Sequence, residues 1–196
     1  MSEARKLLGE AFRRDRDTYA LERVLLWVDL DELARLRSDA DATTGDEQLA
    51  LLECALALFR GDPLAGIDAL WASSEQRRLN ALRADILERA GRLRLHSGDA
   101  PGALAFGEAA SALDGSNERP AQLAMEADAA LGRREAVVDR YEQLRRELDE
   151  RFGLEPSHET KQLYRRLLSQ GQLSRAPDRG TRSHARTPVD DPVIGG

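Results

Sequence analysis

Among side chains able to do chemistry, the three histidines come first. His96, His158 and His184 lie tens of residues apart, and no two have the four-residue spacing with an intervening glutamate that sets two imidazoles on one helical face for zinc. The single cysteine, Cys54, leaves no partner for an intrachain disulfide and excludes a metal site built on thiolates. On its apolar helical stretch it reads as a small buried hydrophobe. Gly98-Asp99-Ala100-Pro101-Gly102 carries two glycines but lacks the Gly-Lys-Ser/Thr end that cradles phosphate, so it reads as a turn between helices. Carboxylates are abundant because 33% of the residues are charged, and no pair among them stands out for general acid–base work. The expectation is a protein with no catalytic residue, no metal ligand and no cofactor: not an enzyme.

A chain without chemistry of its own acts through surfaces, and composition limits which. The formal net charge is -6, and an acidic chain is poorly suited to phosphate backbones, which need clustered Lys and Arg. Hydrophobic residues make up 41% but aromatics only 5%. The core must then be Leu and Ala, which suits helices packed closely through small side chains. No apolar run approaches the ~18 residues of a membrane span, and Met1 to Leu8 lacks the apolar centre of a signal peptide. A cytoplasmic protein with no membrane association is expected.

The elements that must position those surfaces follow from local signals. Residues 1–27 read as a helix end, Arg5 to Glu10, then a β-hairpin in which Ala11-Phe12-Arg13-Arg14 and Thr18-Tyr19-Ala20-Leu21 flank Asp15-Arg16-Asp17. Val24-Leu25-Leu26-Trp27-Val28 reads as an extended packing segment. Asp29 with Glu32, and Thr44 with Glu47, have the spacing of capping boxes, the first with a staple of Val28 on Leu33. Leu49, Leu52, Leu56 and Phe59 carry an apolar helical stripe to Gly61. A helix from about Trp71 or Glu75 to Ser97 holds Leu79, Leu82, Ile86, Ala90 and Leu93, with Trp71 taken as a core anchor. Gly98 stops it and Asp99 caps the next, with Pro101 tolerated in the first turn. Asp114 to Asn117 is the next break. Gly132 and Gly153 end two further helices, and Ser157 caps a last one holding Leu163, Tyr164, Leu167 and Leu168. Residues 171–196 are polar, with Arg175, Arg179, Arg182 and Arg186 nearly balanced by Asp178, Asp190 and Asp191. They cannot offset their ordering entropy by burial, and a disordered tail is expected.

One recurrence ties the helices together. Gly98 and Gly132 are 34 positions apart, as are Ala103 and Val137, Gly107 and Tyr141, and Ala110 and Leu144. A helix–turn–helix unit with a period of ~34 is the tetratricopeptide signature. The fold class expected is all-α: a TPR-like antiparallel helical repeat domain, with a short N-terminal hairpin and a disordered C-terminal tail. In such stacks the first helix of each pair lines the concave side. That register puts Asp85, Glu88, Arg92 and His96 there from one repeat, and Arg119, Gln122 and Glu126 from the next, as a mixed-charge strip for a peptide or helix of another protein.

Several separated stretches carry a more specific likeness. Ala57-Leu58-Phe59-Arg60-Gly61-Asp62-Pro63-Leu64, Trp71, Arg78-Leu79, Gly98-Asp99, Leu131-Gly132-Arg133-Arg134, and Tyr141-Glu142 through Leu148 come first. Phe152-Gly153-Leu154-Glu155-Pro156-Ser157, Thr160 and Leu163-Tyr164-Arg165-Arg166-Leu167-Leu168 follow. In this order they resemble the bacterial transcriptional activator domain of SARP-type regulators, over about residues 28–170. Where the family has Leu-Gly-x-x-Pro, this chain has Phe152-Gly153-Leu154-Glu155-Pro156. The resemblance implies a regulatory TPR-like domain that contacts a protein partner: a DNA-binding regulator, the transcription machinery or a second copy. In the family it usually follows a winged helix, and residues 1–27 resemble only the last pieces of one. DNA contact is then expected only through a missing or partner domain. The alternatives left open are a general TPR-like adaptor and a helical domain that senses a small molecule.

Overall fold

The computed structural model describes residues 6–16, 18–22, 27–115 and 117–173. A 3-10 turn, Gly9–Ala11, leads into strands β1 (Phe12–Asp15) and β2 (Thr18–Leu21), and seven helices follow: α1 (Asp29–Ala42), α2 (Gly45–Ala57), α3 (Leu70–His96), α4 (Ala100–Leu113), α5 (Glu118–Ala130), α6 (Arg134–Phe152) and α7 (His158–Leu173). The molecule is mostly helical, as expected, and consecutive helices pack on one another. No helix among the described residues is long and apolar enough to cross a membrane. The expected extended segment at Val24 to Leu26 and the expected tail beyond Leu173 lie outside the described residues. α7 itself continues through Gly171 to Leu173, so helix occupies the first three residues assigned to the tail.

Local chemistry explains the breaks. At the α3–α4 turn Gly98 has φ +89° and at the α5–α6 turn Gly132 has φ +72°, a left-handed backbone that glycine adopts without steric cost. The hydrogen bonds around them repeat: the Asp99 N–H donates to the Arg94 carbonyl and the Arg133 N–H to the Asp128 carbonyl, both at 2.8 Å. The Asp99 Oδ1 then accepts the Gly102 N–H at 2.9 Å, Asn117 caps α5 through the Arg119 N–H, and the Ser157 Oγ accepts the Thr160 N–H at the start of α7. Gly153, φ +63°, ends α6.

The two capping boxes expected upstream are absent. Val28 is the residue before α1, Asp29 lies inside the helix, and Thr44 makes no side-chain cap hydrogen bond. Asp29 instead accepts its neighbour's N–H, that of Leu30, and with Asp31 and Glu32 places three acids in the first turn, where the helix dipole favours them. In the hairpin Phe12 pairs with Leu21 and Asp15 with Thr18, so the connection is shorter by one residue than the three-residue turn expected.

Four apolar clusters run along the stack. Leu33, Leu36, Ala40, Leu52, Ala55, Ile86 and Ala90 join α1, α2 and α3. Ala84, Leu87 and Ala110 join α3 to α4, Ala103, Leu104, Leu123, Ala124 and Ala127 join α4 to α5, and Met125, Val137 and Leu163 join α5, α6 and α7. Small residues let helices approach closely: a Cβ on Gly107 would stand 3.1 Å from the Ala124 nitrogen and the Pro120 oxygen of α5. Two expectations fail here. Cys54 is exposed, not buried, because the contacts of α2 are made by Leu52 and Ala55 and position 54 falls on the uncovered side. Trp71 is 59% exposed, because Ala72 turns inward in the first turn of α3 and leaves its neighbour outside.

Candidate protein-docking groove

Residues from three helices meet in a polar groove of about 480 Å³, lined by Arg92 of α3, by Arg119, Gln122 and Glu126 of α5, and by Glu159, Gln162, Leu163 and Arg166 of α7. α3 and α5 reach it through the repeat register, since Arg92 and Glu126 are 34 positions apart. α7 reaches it because its Leu163 and Leu167 dock against Met125 and Val137, which turns Glu159, Gln162 and Arg166, at i, i+3 and i+7, toward the opening.

The charges are largely satisfied within the groove. Arg92 Nη1 donates to Glu126 at 2.9 Å and Arg92 Nε donates to Glu88, which is only 4% exposed. Arg166 shares Glu126 from the other side at 3.3 Å. Burial would lower the pKa of the Arg92 guanidinium, but the hydrogen bonds and charges of Glu88 and Glu126 outweigh it and hold the pKa above its usual value. The cation is therefore fixed. Among the described residues Arg119 and Glu159 line the groove without an ion pair, which leaves one charge of each sign for a visitor.

At the groove's end the Glu118 carboxylate accepts the Ser157 N–H at 3.0 Å and the Ser157 hydroxyl at 2.9 Å, together with the Thr160 hydroxyl at 2.5 Å. Gln122 Nε2 donates to the Thr160 Oγ1 at 2.7 Å. Thr160 is fully buried and Gln122 nearly so, so these bonds satisfy polar groups that would otherwise be costly to bury and clamp α7 onto α5.

Of the seven residues expected on the concave strip, Arg92, Arg119, Gln122 and Glu126 line this groove. Glu88 lies beneath it, held by Arg92. Asp85 turns to α1, 3.6 Å from the Arg37 guanidinium, and His96 is exposed with Nδ1 2.6 Å from the Arg92 carbonyl oxygen. The α7 contribution was not anticipated, although the polar i, i+3, i+7 stripe beside its leucines is legible in the sequence. Among the described residues no group of three His, Cys, Asp or Glu is placed to hold a metal ion.

Among curated proteins no match to this chain was found. Residues 28–168, from just before α1 to within α7, match the model of the bacterial transcriptional activator domain, a family of regulatory rather than enzymatic domains. That match covers well over half of the sequence and includes every residue lining the groove, and the chain therefore belongs to the bacterial transcriptional activator domain family.

Proposed function

We propose that this activator domain works by docking a partner protein in the α3–α5–α7 groove, and that DNA is reached through another domain or chain and not by this one. The partner on this reading is a DNA-binding regulator or a component of the transcription machinery. The observation that carries it is the convergence of Arg92, Arg119, Glu126, Glu159 and Arg166 from three helices on one opening; helical repeats bind other proteins on such inter-helix surfaces.

Affinity capture with the full chain, compared with an Arg119→Glu/Arg166→Glu variant, tests the docking. Arg119 is exposed and Arg166 has 59% side-chain exposure, so reversing them leaves stability within roughly 1 kcal/mol. Recovery of transcription proteins by the parent and their loss with the variant is the expected result. Equal recovery by both, or recovery of chaperones or enzymes alone, overturns the reading. For DNA, the expected outcome is no salt-sensitive binding to promoter fragments, because the net charge is -6 and Arg13 of the hairpin pairs with Glu22 at 3.4 Å. Tight binding at physiological salt that disappears on replacing Arg13, Arg14 and Arg16 would overturn it.

A further inference from the structure

A second surface lies on α3 about 20 Å from the groove, the rise of the thirteen residues from Leu79 to Arg92. It is a cleft of about 380 Å³ among Trp27, Leu30 and Leu33, the loop Leu58 to Leu64, and Leu79. Its floor is formed by buried leucines, Leu33 at 2% and Leu79 at 5% exposed. Its walls include apolar side chains open to solvent: Trp27 is 66% and Leu30 40% exposed. In the first turn of α3 Leu70 is fully exposed and Trp71 59%. Both tryptophans of the chain are therefore largely exposed, and Trp27 lines the cleft. Leu64 is held at φ +56°, a conformation that a branched side chain adopts at a cost. The loop accepts that strain while presenting Leu64 to the cleft.

The charges around the cleft say what covers it. Asp29 and Asp62 line it together with Arg60. Two acids therefore face one base in its lining. Two copies meeting through this face would each carry the same excess of acid into the contact. We infer that this cleft docks a basic amphipathic helix of another polypeptide, which inserts an apolar anchor between Trp27, Leu30 and Leu64 and sets Lys or Arg against Asp29 and Asp62. This surface is separate from the groove, and either can fail without the other.

The tryptophans make the test direct. The full chain is titrated with a Leu/Lys peptide of about 18 residues, with Leu at i, i+3, i+4 and i+7, and with its Leu/Glu counterpart, reading tryptophan emission. The expected result is a blue shift and saturable binding for the Leu/Lys peptide only. Leu30→Ala should weaken it roughly tenfold, and Asp29→Asn/Asp62→Asn roughly fivefold, an effect that salt removes. Glu142→Gln/Glu150→Gln on α6 removes the same charge elsewhere and should change affinity less than twofold. Equal binding of the Leu/Glu peptide, equal weakening by the α6 variant, or concentration-dependent self-association that buries the tryptophans without peptide overturns the proposal. So does insensitivity to Leu30→Ala. The Arg119→Glu/Arg166→Glu variant should bind the Leu/Lys peptide as the parent does. If it binds no transcription partner yet still binds the peptide, the two surfaces are distinguished.

Discussion

Arg94 and Asp128 occupy equivalent places in successive repeats with opposite charges. Arg94 pairs with Asp99 at 2.6 Å and stacks 4.8 Å from the Phe106 ring centre. Thirty-four residues on, Asp128 lies 3.9 Å from Arg133 and is bonded to Arg140. The two slots differ in water access: the Asp128 side chain is 1% exposed and that of Arg94 29%. Burial opposes the Arg140 charge, yet Asp128 and Glu108 hold its pKa above the usual value. Removing one partner of a buried pair strands the other, but Arg140 keeps Glu108, so Asp128→Ala should cost about 1–3 kcal/mol in urea unfolding, well above the cost of Arg94→Ala. Asp99 supplies a pH test. The Gly102 N–H and then Arg94 stabilise its carboxylate and lower its pKa below 3.8. A carboxylate whose folded pKa is depressed contributes stability above its ordinary pKa, and the contribution is lost as pH falls through the folded value. Asn can still cap a helix, so Asp99→Asn isolates the charge. Its thermal midpoint should lie below the parent's at neutral pH and converge with it below pH 3.8.

The turns decide how elements follow one another. A Cβ on Gly98 or Gly132 would meet nothing within 4 Å, so replacing either tests the backbone alone. Gly98→Ala and Gly132→Ala should each cost about 1 kcal/mol through the left-handed conformation, measured by thermal or urea unfolding. Gly107→Ala, where the new methyl presses on the backbone of α5, should also destabilise, although alanine favours the helix. A stabilised Gly107→Ala would show that α4 and α5 can separate at little cost. α7 illustrates the other kind of determinant. Its amphipathic pattern predicts a helix, but only docking on Met125 and Val137 aims its polar stripe into the groove.

Across the whole molecule the hairpin and the helical stack should differ in stability. All four residues of β2 are exposed, and a two-stranded sheet is marginal in water, whereas α3 to α6 share buried apolar clusters. Amide hydrogens of residues 12–21 should exchange by local opening, orders of magnitude faster than those of Ile86, Leu123 or Val137, which open with global unfolding. Comparable protection in both regions would show that the hairpin is held by contacts stronger than its exposure implies.

The repeat spacing, the glycine stops, the Asp99 and Ser157 caps and the family likeness were legible in the sequence, because each depends on residues within a turn or two of one another. The 34-residue period put Arg92 and Glu126 at equivalent positions of successive repeats, but their pairing was not read from the sequence. The capping boxes at Asp29 and Thr44 were misread because their pattern permits a side-chain bond without requiring it. Burial was misjudged at Cys54 and Trp71 because the sequence shows a helix's apolar face but not which faces neighbours cover. The entry of α7 into the groove, the turning of Asp85 toward α1, and the gathering of Trp27, Leu30 and Leu64 around one cleft were decided only by tertiary packing. Those contacts span tens of residues, and their geometry is set by how whole helices cross and not by any local preference of the chain.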